Sequence, residues 1–439
     1  MHYKGLQRLL MVTERPFAEL NLWQRIFVEH WESFEKNHER ESGRQVPGYW
    51  RENVKRMLSC GDIREGYYEY CCQDCGTKKK VGFTCKSRLC LRCFKIAVDD
   101  WLLQAKKVLF EGVVHRQVVL TVPKQLRSLI VENEFFLKAF TDAGARAIKE
   151  LIEEWRPKKK IKVGIMAVLQ LHGRAGNRNP HLHYVVSEGG IDQNQRWREV
   201  EFFDTKKLRK KWQYHVITAL KKVARGTSYD ARWRGKLGSM FRLYPNGFDC
   251  NCMPEKGPVE RLVIYLCKYV SSPPISIRRI VGYDGENVTY CYQDHRKGQV
   301  TETISAVEFI GRMIQHLPPK GFRMVRYYGI YARPVREKFH ALVADILKVL
   351  MKRAERATQF FLRKCSKSAR NKQESEEPFV KLPLRCPSCG SQRMLLVRVW
   401  SKSVGVVYER KGLWCDPGSN VLGNTPQRIS FPVQLTFAF

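Results

Sequence analysis

The sequence is poor in acidic residues. Asp and Glu number 43 against 78 Lys and Arg, which leaves a formal net charge of +35 over 439 residues. Positive charges in such excess repel one another unless a polyanion neutralises them. Nucleic acid is therefore the first candidate partner, and an anionic membrane surface is the second. The basic residues are spread along the whole chain rather than along one amphipathic helix, which argues against the membrane surface.

The chain also lacks long apolar runs. No stretch approaches the roughly 18 consecutive apolar residues of a membrane helix, and the N-terminal run LLMV is too short for a signal peptide. We therefore expect a cytoplasmic protein with no membrane partner. In that reducing compartment, the fifteen cysteines indicate metal binding or packing rather than disulfides.

The clearest motif consists of two Cys-x2-Cys pairs, Cys72 with Cys75 and Cys90 with Cys93, which are separated by 14 residues. Two such pairs supply the four thiolates that a tetrahedral Zn²⁺ site needs. Gly76 follows the first pair, where a knuckle turn favours a residue that can take positive φ. Because catalytic zinc sites usually include histidine and an open position, we predict a structural zinc domain here.

Other cysteines leave the metal content of this region open. Cys60 and Cys85 lie nearby in the sequence, and they either contribute to a second site or pack as small hydrophobic side chains. The tail carries one further knuckle, CPSCG at 386–390, which has no obvious partner, so a second complete zinc site is not expected there. Lys and Arg residues around the first knuckles suit contacts with phosphate.

A histidine pair, His181 and His183, lies at the start of the predicted strand HLHYVV. Residues i and i+2 of a strand point to the same face, so the two imidazoles can bind one cation. The preceding segment KVGIMAVLQLHG predicts the partner strand of a hairpin with a loop at residues 173–180. In that register His172 lies opposite His181. Gln170 lies opposite His183, which brings four metal-binding side chains to one patch.

A tyrosine pair, Tyr265 and Tyr269, lies in a predicted helix at residues 259–270. At i and i+4 the two phenols share one face of the helix. A tyrosine that attacks phosphorus forms a covalent phosphotyrosine and conserves the bond energy for rejoining, although tyrosines at this spacing often only pack. Tyr327 and Tyr331 are a rival pair, which we rank lower because a glycine between them weakens a helix.

Taken in order over residues 15–345, these motifs resemble the two-tyrosine HUH transposases of bacterial rolling-circle insertion sequences. CCQDCG and TCKSRLCLRC resemble the zinc-binding domain at the N-terminus of that family. LQLHG with NPHLHYVVSEGG resembles its HUH hairpin, and VIYLCKYVSSPPIS resembles its tyrosine helix. VTYCYQDHRKG and EFIGRMIQHLPPKGFRMVRYYG resemble the signature of its catalytic domain. Asn179 stands where the family often has a further histidine, which leaves the third metal ligand open.

The resemblance implies an α+β fold, with an HUH-type antiparallel sheet and flanking helices preceded by a small cysteine zinc domain. We predict four parts: an N-terminal helical segment at 1–55, a zinc-binding domain at 56–105, a catalytic domain at 106–345 and a tail at 346–439. The tail contains a basic helix, a polar linker and the single knuckle.

The activity implied is that of a metal-dependent tyrosine transposase, which is a single-strand DNA endonuclease and strand transferase. Tyr265 or Tyr269 attacks at a transposon end and holds the 5′ phosphate, and the 3′ hydroxyl is left free. A divalent metal, Mg²⁺ or Mn²⁺, orients the phosphate and offsets charge in the transition state, whereas Zn²⁺ is structural. The implied ligands of the divalent metal are His181, His183, His172 and Gln170.

The partners implied are single-stranded DNA of the transposon ends and of the target, in the nucleoid of a bacterial cytoplasm. No Gly-x4-Gly-Lys-Ser/Thr phosphate loop occurs, so unwinding would fall to a host helicase. A basic amphipathic helix at 205–224 is the candidate for holding this DNA, with Trp212 and Tyr214 available for stacking. The DNA-contacting residues that we predict are Lys206, Lys207, Arg209, Lys210, Lys211 and Trp212.

Three other functions fit part of the sequence. A non-catalytic zinc-finger DNA-binding protein explains the charge and the cysteines, but neither the histidine hairpin nor the tyrosine helix. An HUH replication initiator or relaxase shares the chemistry and differs in its DNA substrate, and the long zinc domain favours the transposase. An inactive relic of a transposase is disfavoured because both the histidine pair and the tyrosine pair are intact.

Overall fold

The computed structural model describes residues 16–93, 105, 108–110, 112–173, 175–200, 203–253, 275–294, 297–346, 348 and 384–410. These residues form α-helices and antiparallel sheets, which confirms the predicted α+β class. None of the described helices is long and apolar enough to cross a membrane. The division into four domains stays a prediction.

The main helices alternate with strands along the chain. A capping box begins the first of them, because Asn21 accepts from the Gln24 backbone N–H while the Gln24 side chain accepts from that of Asn21. The helices are α1 (Leu22–Ser42), α2 (Gly48–Leu58), α3 (Arg127–Ile130), α4 (Glu134–Trp155), α5 (Thr205–Ala224), α6 (Ser228–Leu243) and α7 (Ala306–Ile314). Helix α5 agrees with the predicted basic helix, whereas α6 was not predicted.

Three antiparallel sheets contain the strands. The strands are β1 (Gly66–Cys72), β2 (Lys78–Gly82), β3 (His115–Leu120), β4 (Lys162–His172), β5 (Arg178–Ile191), β6 (Trp197–Glu199), β7 (Cys250–Met253), β8 (Ile280–Tyr283), β9 (Asn287–Asp294), β10 (Gly298–Ser305), β11 (Val325–Gly329), β12 (Met394–Ser401) and β13 (Gly405–Glu409). The central sheet has the order β11-β4-β5-β3-β7, with β6 paired to β5. The orders of the smaller sheets are β13-β12-β1-β2 and β10-β9-β8.

One face of the central sheet packs against α4, and α5 packs on α4. The Tyr184 hydroxyl donates to the Thr141 carbonyl of α4 at 2.7 Å. Gly144 makes this approach possible, because a Cβ there would lie 2.2 Å from the tyrosine oxygen. Trp212 of α5 is fully buried in the same core. The helices therefore cover the face that Leu182 and Tyr184 share, and leave His181 and His183 on the other face.

The β8–β10 sheet and α7 share a core with α1 and with three buried cysteines of the zinc region. Trp23 and Phe309 meet edge to face there, with ring centroids 5.8 Å apart. The tip of the β4–β5 hairpin rests on this unit, because the Tyr290 hydroxyl donates to the Ala175 carbonyl at 3.1 Å. The cysteine-rich region and the histidine hairpin are thus connected through one packed unit.

Candidate functional site

A cluster of four thiols lies between α2 and the loop after β2. Every pair of its ligand atoms lies within 4.8 Å, and the Sγ atom of Cys93 is 3.4 Å from that of Cys60 and 3.6 Å from that of Cys85. Tetrahedral zinc with Zn–S bonds of about 2.3 Å places its sulfur atoms about 3.8 Å apart. The cluster, which consists of Cys60, Cys85, Cys90 and Cys93, therefore fits a closed structural zinc site.

The surroundings of this cluster also suit a structural ion. Cys60, Cys90 and Cys93 are buried in the core that contains α1. The backbone N–H of Ser87 donates to the Cys85 sulfur at 3.4 Å, as amides around zinc thiolates do. Four thiolates fill the coordination of a tetrahedral zinc ion, so the site needs no position that is open to water. Its expected role is to hold the loop after β2 against α2.

The expected grouping of the cysteines is wrong in one respect. Cys72 and Cys75 do not share a site with Cys90 and Cys93. They lie with two cysteines of the tail, Cys386 and Cys389, in a second cluster. The Cys-x2-Cys spacing predicts that two thiols act together, but it does not say which pairs meet in space. The expectation that the tail knuckle has no partner is therefore also wrong.

The histidine hairpin forms, but its register differs from the predicted one. Gln170 lies opposite His181, and His172 lies opposite Arg178, with a bulge between Gln170 and His172. The reason is that β5 begins at Arg178, which shortens the loop, and that the bulge adds a residue to β5, which advances three positions where β4 advances two. Even so, Gln170 faces the histidines, and its Oε1 lies 3.1 Å from Nε2 of His183.

Two histidine rings are held in the state that binds metals. Nδ1 of His181 donates to the Asn179 carbonyl at 2.7 Å, which leaves Nε2 of the neutral ring as an electron-pair donor. Burial lowers the pKa of His181, and burial with the neighbouring histidines lowers the pKa of His183 to about 3. Both imidazoles are therefore neutral near pH 7, and their ring centroids are 4.9 Å apart.

A further histidine, which sequence reasoning missed, extends this patch. His316 is buried, and its ring centroid lies 4.9 Å from that of His172. Its Nε2 donates to the Gly176 carbonyl at 2.9 Å, and its Nδ1 has no hydrogen-bond partner among the described residues. His316 lies within EFIGRMIQHLPPKGFRMVRYYG, which resembles the catalytic-domain signature, but nothing in that segment assigns it to the patch, because it follows α7 and meets the hairpin only through tertiary packing.

Two arginines, Arg127 and Arg178, add positive charge beside the histidines. Neither was among the site residues predicted from the sequence. Arg127 is near enough to His181 for its charge to lower the pKa of that imidazole further. Arg178 extends from the first residue of β5, and its Nε donates to the Gln315 side chain at 3.1 Å. Guanidinium groups at the edge of the patch suit a phosphate ligand.

The predicted nucleophiles, Tyr265 and Tyr269, lie outside the described residues. The rival pair, Tyr327 and Tyr331, lies within the described residues. Tyr331 is fully buried, and its hydroxyl lies 2.5 Å from Nε2 of His115. Tyr327 is on strand β11 and not on a helix. Burial raises the pKa of both phenols, so neither is in a setting that favours the phenolate.

The predicted DNA-contacting helix requires a correction. Trp212 is fully buried and donates Nε1 to the Thr121 carbonyl at 2.7 Å, so it is a core residue and cannot stack on a base. Lys211 is bound to Glu150 and Glu154, with both distances 2.5 Å. Lys206, Lys207 and Lys210 are exposed, and the described ion pair of Arg209 is with Asp249. Helix α5 also lies across the sheet from the histidines.

Comparison with known proteins identifies two regions. Residues 164–338 match a family model described as "Putative transposase", and residues 26–122 match one described as "Transposase zinc-binding domain". The first range contains the histidine hairpin and the second contains the cluster of Cys60, Cys85, Cys90 and Cys93. No solved structure matches the chain.

Two curated proteins are similar over most of their length. The "Transposase for insertion sequence element IS801" of Pseudomonas savastanoi pv. phaseolicola is 29% identical over 314 residues, which cover 68% of this chain and 74% of that protein. The "Putative transposase y4qJ" of Sinorhizobium fredii is 25% identical over 397 residues, or 87% of this chain and 96% of that protein. The chain therefore belongs to the family of insertion-sequence transposases that carry a transposase zinc-binding domain.

Proposed function

We propose that this transposase nicks single-stranded DNA at transposon ends by a metal-assisted tyrosine attack, in rolling-circle transposition. The observation that carries the proposal is the patch on the central sheet where His181, His183 and Gln170 meet. Two neutral imidazoles and an amide oxygen on one face are ligands that a divalent cation such as Mn²⁺ accepts. His172, with His316 behind it, is the neighbouring candidate for a further ligand.

A divalent ion bound there would polarise the scissile phosphate and offset the negative charge that develops during attack. The chain's own contribution is to fix the ligands. The hydrogen bond from His181 Nδ1 to Asn179 sets the ring orientation, and the packing of Leu182 on the opposite face anchors the strand. Arg127 and Arg178 would bind the flanking phosphates.

In the proposed reaction the phenolate oxygen of Tyr265 or Tyr269 attacks the phosphorus. The bond between phosphorus and the 3′ oxygen breaks, so the 5′ phosphate is joined to tyrosine and the 3′ oxygen takes up a proton. The second tyrosine would serve a second strand. The chain length allows these tyrosines to reach the patch, because Met253 of β7 pairs with Gln117 of β3, the neighbour of the histidine strand, and Tyr265 follows twelve positions later.

The proposed DNA substrate is single-stranded, with a host helicase supplying it. The net charge of +35 supplies the general attraction to phosphate. On α5 the exposed residues Lys206, Lys207 and Lys210 remain candidates for DNA contact, and Tyr214 is the exposed aromatic ring of that helix. Because α5 lies across the sheet, these residues would hold DNA outside the cleavage site.

The role of the histidines is tested by cleavage of labelled single-stranded transposon-end DNA at increasing Mn²⁺ or Mg²⁺ concentration. We expect His181→Ala and His183→Ala each to lower the cleavage rate by at least about 100-fold, as losing a metal ligand or its support does. His340→Ala is the matched control, because that histidine is exposed and its described ring contact is with Phe110 rather than with a residue of the patch. Full metal-dependent activity in both ligand variants would overturn this assignment.

A further inference from the structure

The second thiol cluster joins parts of the chain that are more than 300 positions apart. Its members are Cys72 and Cys75 beside the β1–β2 hairpin, and Cys386 and Cys389 before the β12–β13 hairpin. The tail pair lies outside both ranges matched by the family models. We propose that these four cysteines hold a second structural zinc ion, which fastens the C-terminal hairpin to the zinc-binding domain as one zinc ribbon.

The sulfur geometry fits zinc. All four Sγ atoms lie within 4.8 Å of one another. The Sγ atoms of Cys72 and Cys389 are 3.6 Å apart, and those of Cys75 and Cys386 are 3.4 Å apart. These separations are close to the roughly 3.8 Å between sulfurs on a tetrahedral zinc, and far above the roughly 2.05 Å of a disulfide.

The two knuckles have the same local structure. In each, the glycine after the second cysteine has a φ of 73° and donates its N–H to the carbonyl of the first cysteine, at 2.9 Å for Gly76 and 3.0 Å for Gly390. In each, the first cysteine donates its N–H to the carbonyl five residues on, at 2.9 Å for Cys72 and 2.8 Å for Cys386. Two equivalent turns facing each other are the arrangement that a four-thiolate site requires.

Contacts that need no metal hold the knuckles in place. Strand β12 pairs antiparallel with β1 from Gly66↔Ser401 to Cys72↔Met394. The side chain of Arg393 forms an ion pair with Asp74 at 2.7 Å, and Thr77 donates its hydroxyl to that of Ser388 at 3.0 Å. The two side-chain contacts are exposed and individually weak, so beyond the strand pairing four zinc–thiolate bonds would dominate the attachment of the tail knuckle.

The charge around the cluster also favours a thiolate site. Four thiolates and one Zn²⁺ carry a net charge of −2, which nearby cations can offset. Strand β2 supplies Lys78, Lys79 and Lys80 directly after the first knuckle, and Lys79 reaches across to the Arg385 carbonyl at 3.4 Å. With this second zinc ion the tail hairpin is part of the zinc-binding domain, although the two lie far apart in the sequence.

The test is the zinc content of the purified full-length protein, measured by mass spectrometry of the metal with a reducing agent present throughout. We expect two zinc ions per chain in the wild type and one in the double variant Cys386→Ser, Cys389→Ser. The matched control is Cys250→Ser, Cys252→Ser, a neighbouring pair outside both clusters, which should keep two. A wild-type content of one, or an unchanged content in the tail variant, would overturn the proposal.

A second measurement guards against misfolding of the tail variant. The full-length tail variant keeps all four cysteines of the first cluster. It should retain one zinc ion and stay folded by circular dichroism. Limited proteolysis should release the 384–410 region faster from the cysteine variant than from the wild type. Equal rates of release would contradict a zinc-fastened tail.

Discussion

At the scale of single residues, Trp212 and Tyr214 are neighbours on α5 with opposite roles. Trp212 is fully buried and hydrogen-bonded, whereas Tyr214 is 56% exposed. Trp212→Ala should lower the free energy of unfolding by about 3–5 kcal/mol through the cavity that it leaves. Tyr214→Ala should change it by less than about 0.5 kcal/mol. Urea titration followed by circular dichroism measures both.

Substitutions at the same two residues distinguish an effect on stability from an effect on DNA binding. If Tyr214 stacks on a base, Tyr214→Ala should weaken binding of single-stranded DNA by about 1–3 kcal/mol at unchanged stability. A Trp212→Ala protein of wild-type stability that had lost DNA binding would contradict the burial of that ring.

Residue types and spacing predicted much of the site. The i, i+2 rule predicted that His181 and His183 share a face, and the structure agrees. The rule that opposed residues share a face selected Gln170, although through a register that proved wrong. His316 and Arg127 reach the patch through tertiary contacts, so no local pattern could place them there, although His316 lies in a segment that resembles the catalytic-domain signature. The burial of Trp212 follows from the helix period, because Trp212 lies four positions from Leu208 and four from Val216 on the apolar face of α5.

At the scale of elements, the fit of α4 on the central sheet depends on a missing side chain. A Cβ at Gly144 would lie 2.2 Å from the Tyr184 oxygen, while a Cβ at Gly238 of α6 would meet nothing within 4 Å. Gly144→Ala should therefore destabilise the protein by about 1–3 kcal/mol through overpacking. Gly238→Ala should stabilise it by about 0.5–1 kcal/mol, because alanine favours the helix. Thermal unfolding measures both changes in stability. If the two variants changed stability in the same direction, this packing would be contradicted.

The charges of α5 give a prediction about salt. Lys206, Lys207 and Lys210 are exposed, so replacing all three with alanine should remove up to three phosphate contacts. At about 0.7 per contact with a single strand, the slope of log K against log salt should become shallower by up to about 2. Lys211→Ala is the control, because its ammonium is bound by Glu150 and Glu154. An unchanged slope in the triple variant would exclude α5 as a DNA-binding surface.

The strand and helix periods in the sequence predicted only some of these elements. Helix α5 and strands β4 and β5 follow from their apolar spacing. The hairpin register did not follow, because it depends on a bulge and on where the loop closes. The partnership of β1 with β12 could not be predicted either, since strands 300 positions apart share no local signal.

At the scale of the whole molecule, the zinc region and the histidine hairpin are parts of one packed arrangement. The core that buries Cys60 and Cys90 extends through α1 to α7, and the hairpin tip rests on β9 and on His316. A change at the zinc region can therefore shift the hairpin through direct packing. Composition predicted the polyanionic partner, but this connection between the parts required the structure.

The proposed reaction requires that a tyrosine of this transposase becomes covalently joined to DNA. The most direct measurement is a denaturing gel of labelled single-stranded transposon-end DNA after incubation with Mn²⁺ and the wild type, Tyr265→Phe, Tyr269→Phe or the double variant. Tyr327→Phe serves as the control. We predict a metal-dependent protein–DNA adduct in the wild type and control and none in the double variant. An adduct that survives the double variant, or no adduct on any end sequence while binding is intact, would contradict attack by Tyr265 or Tyr269.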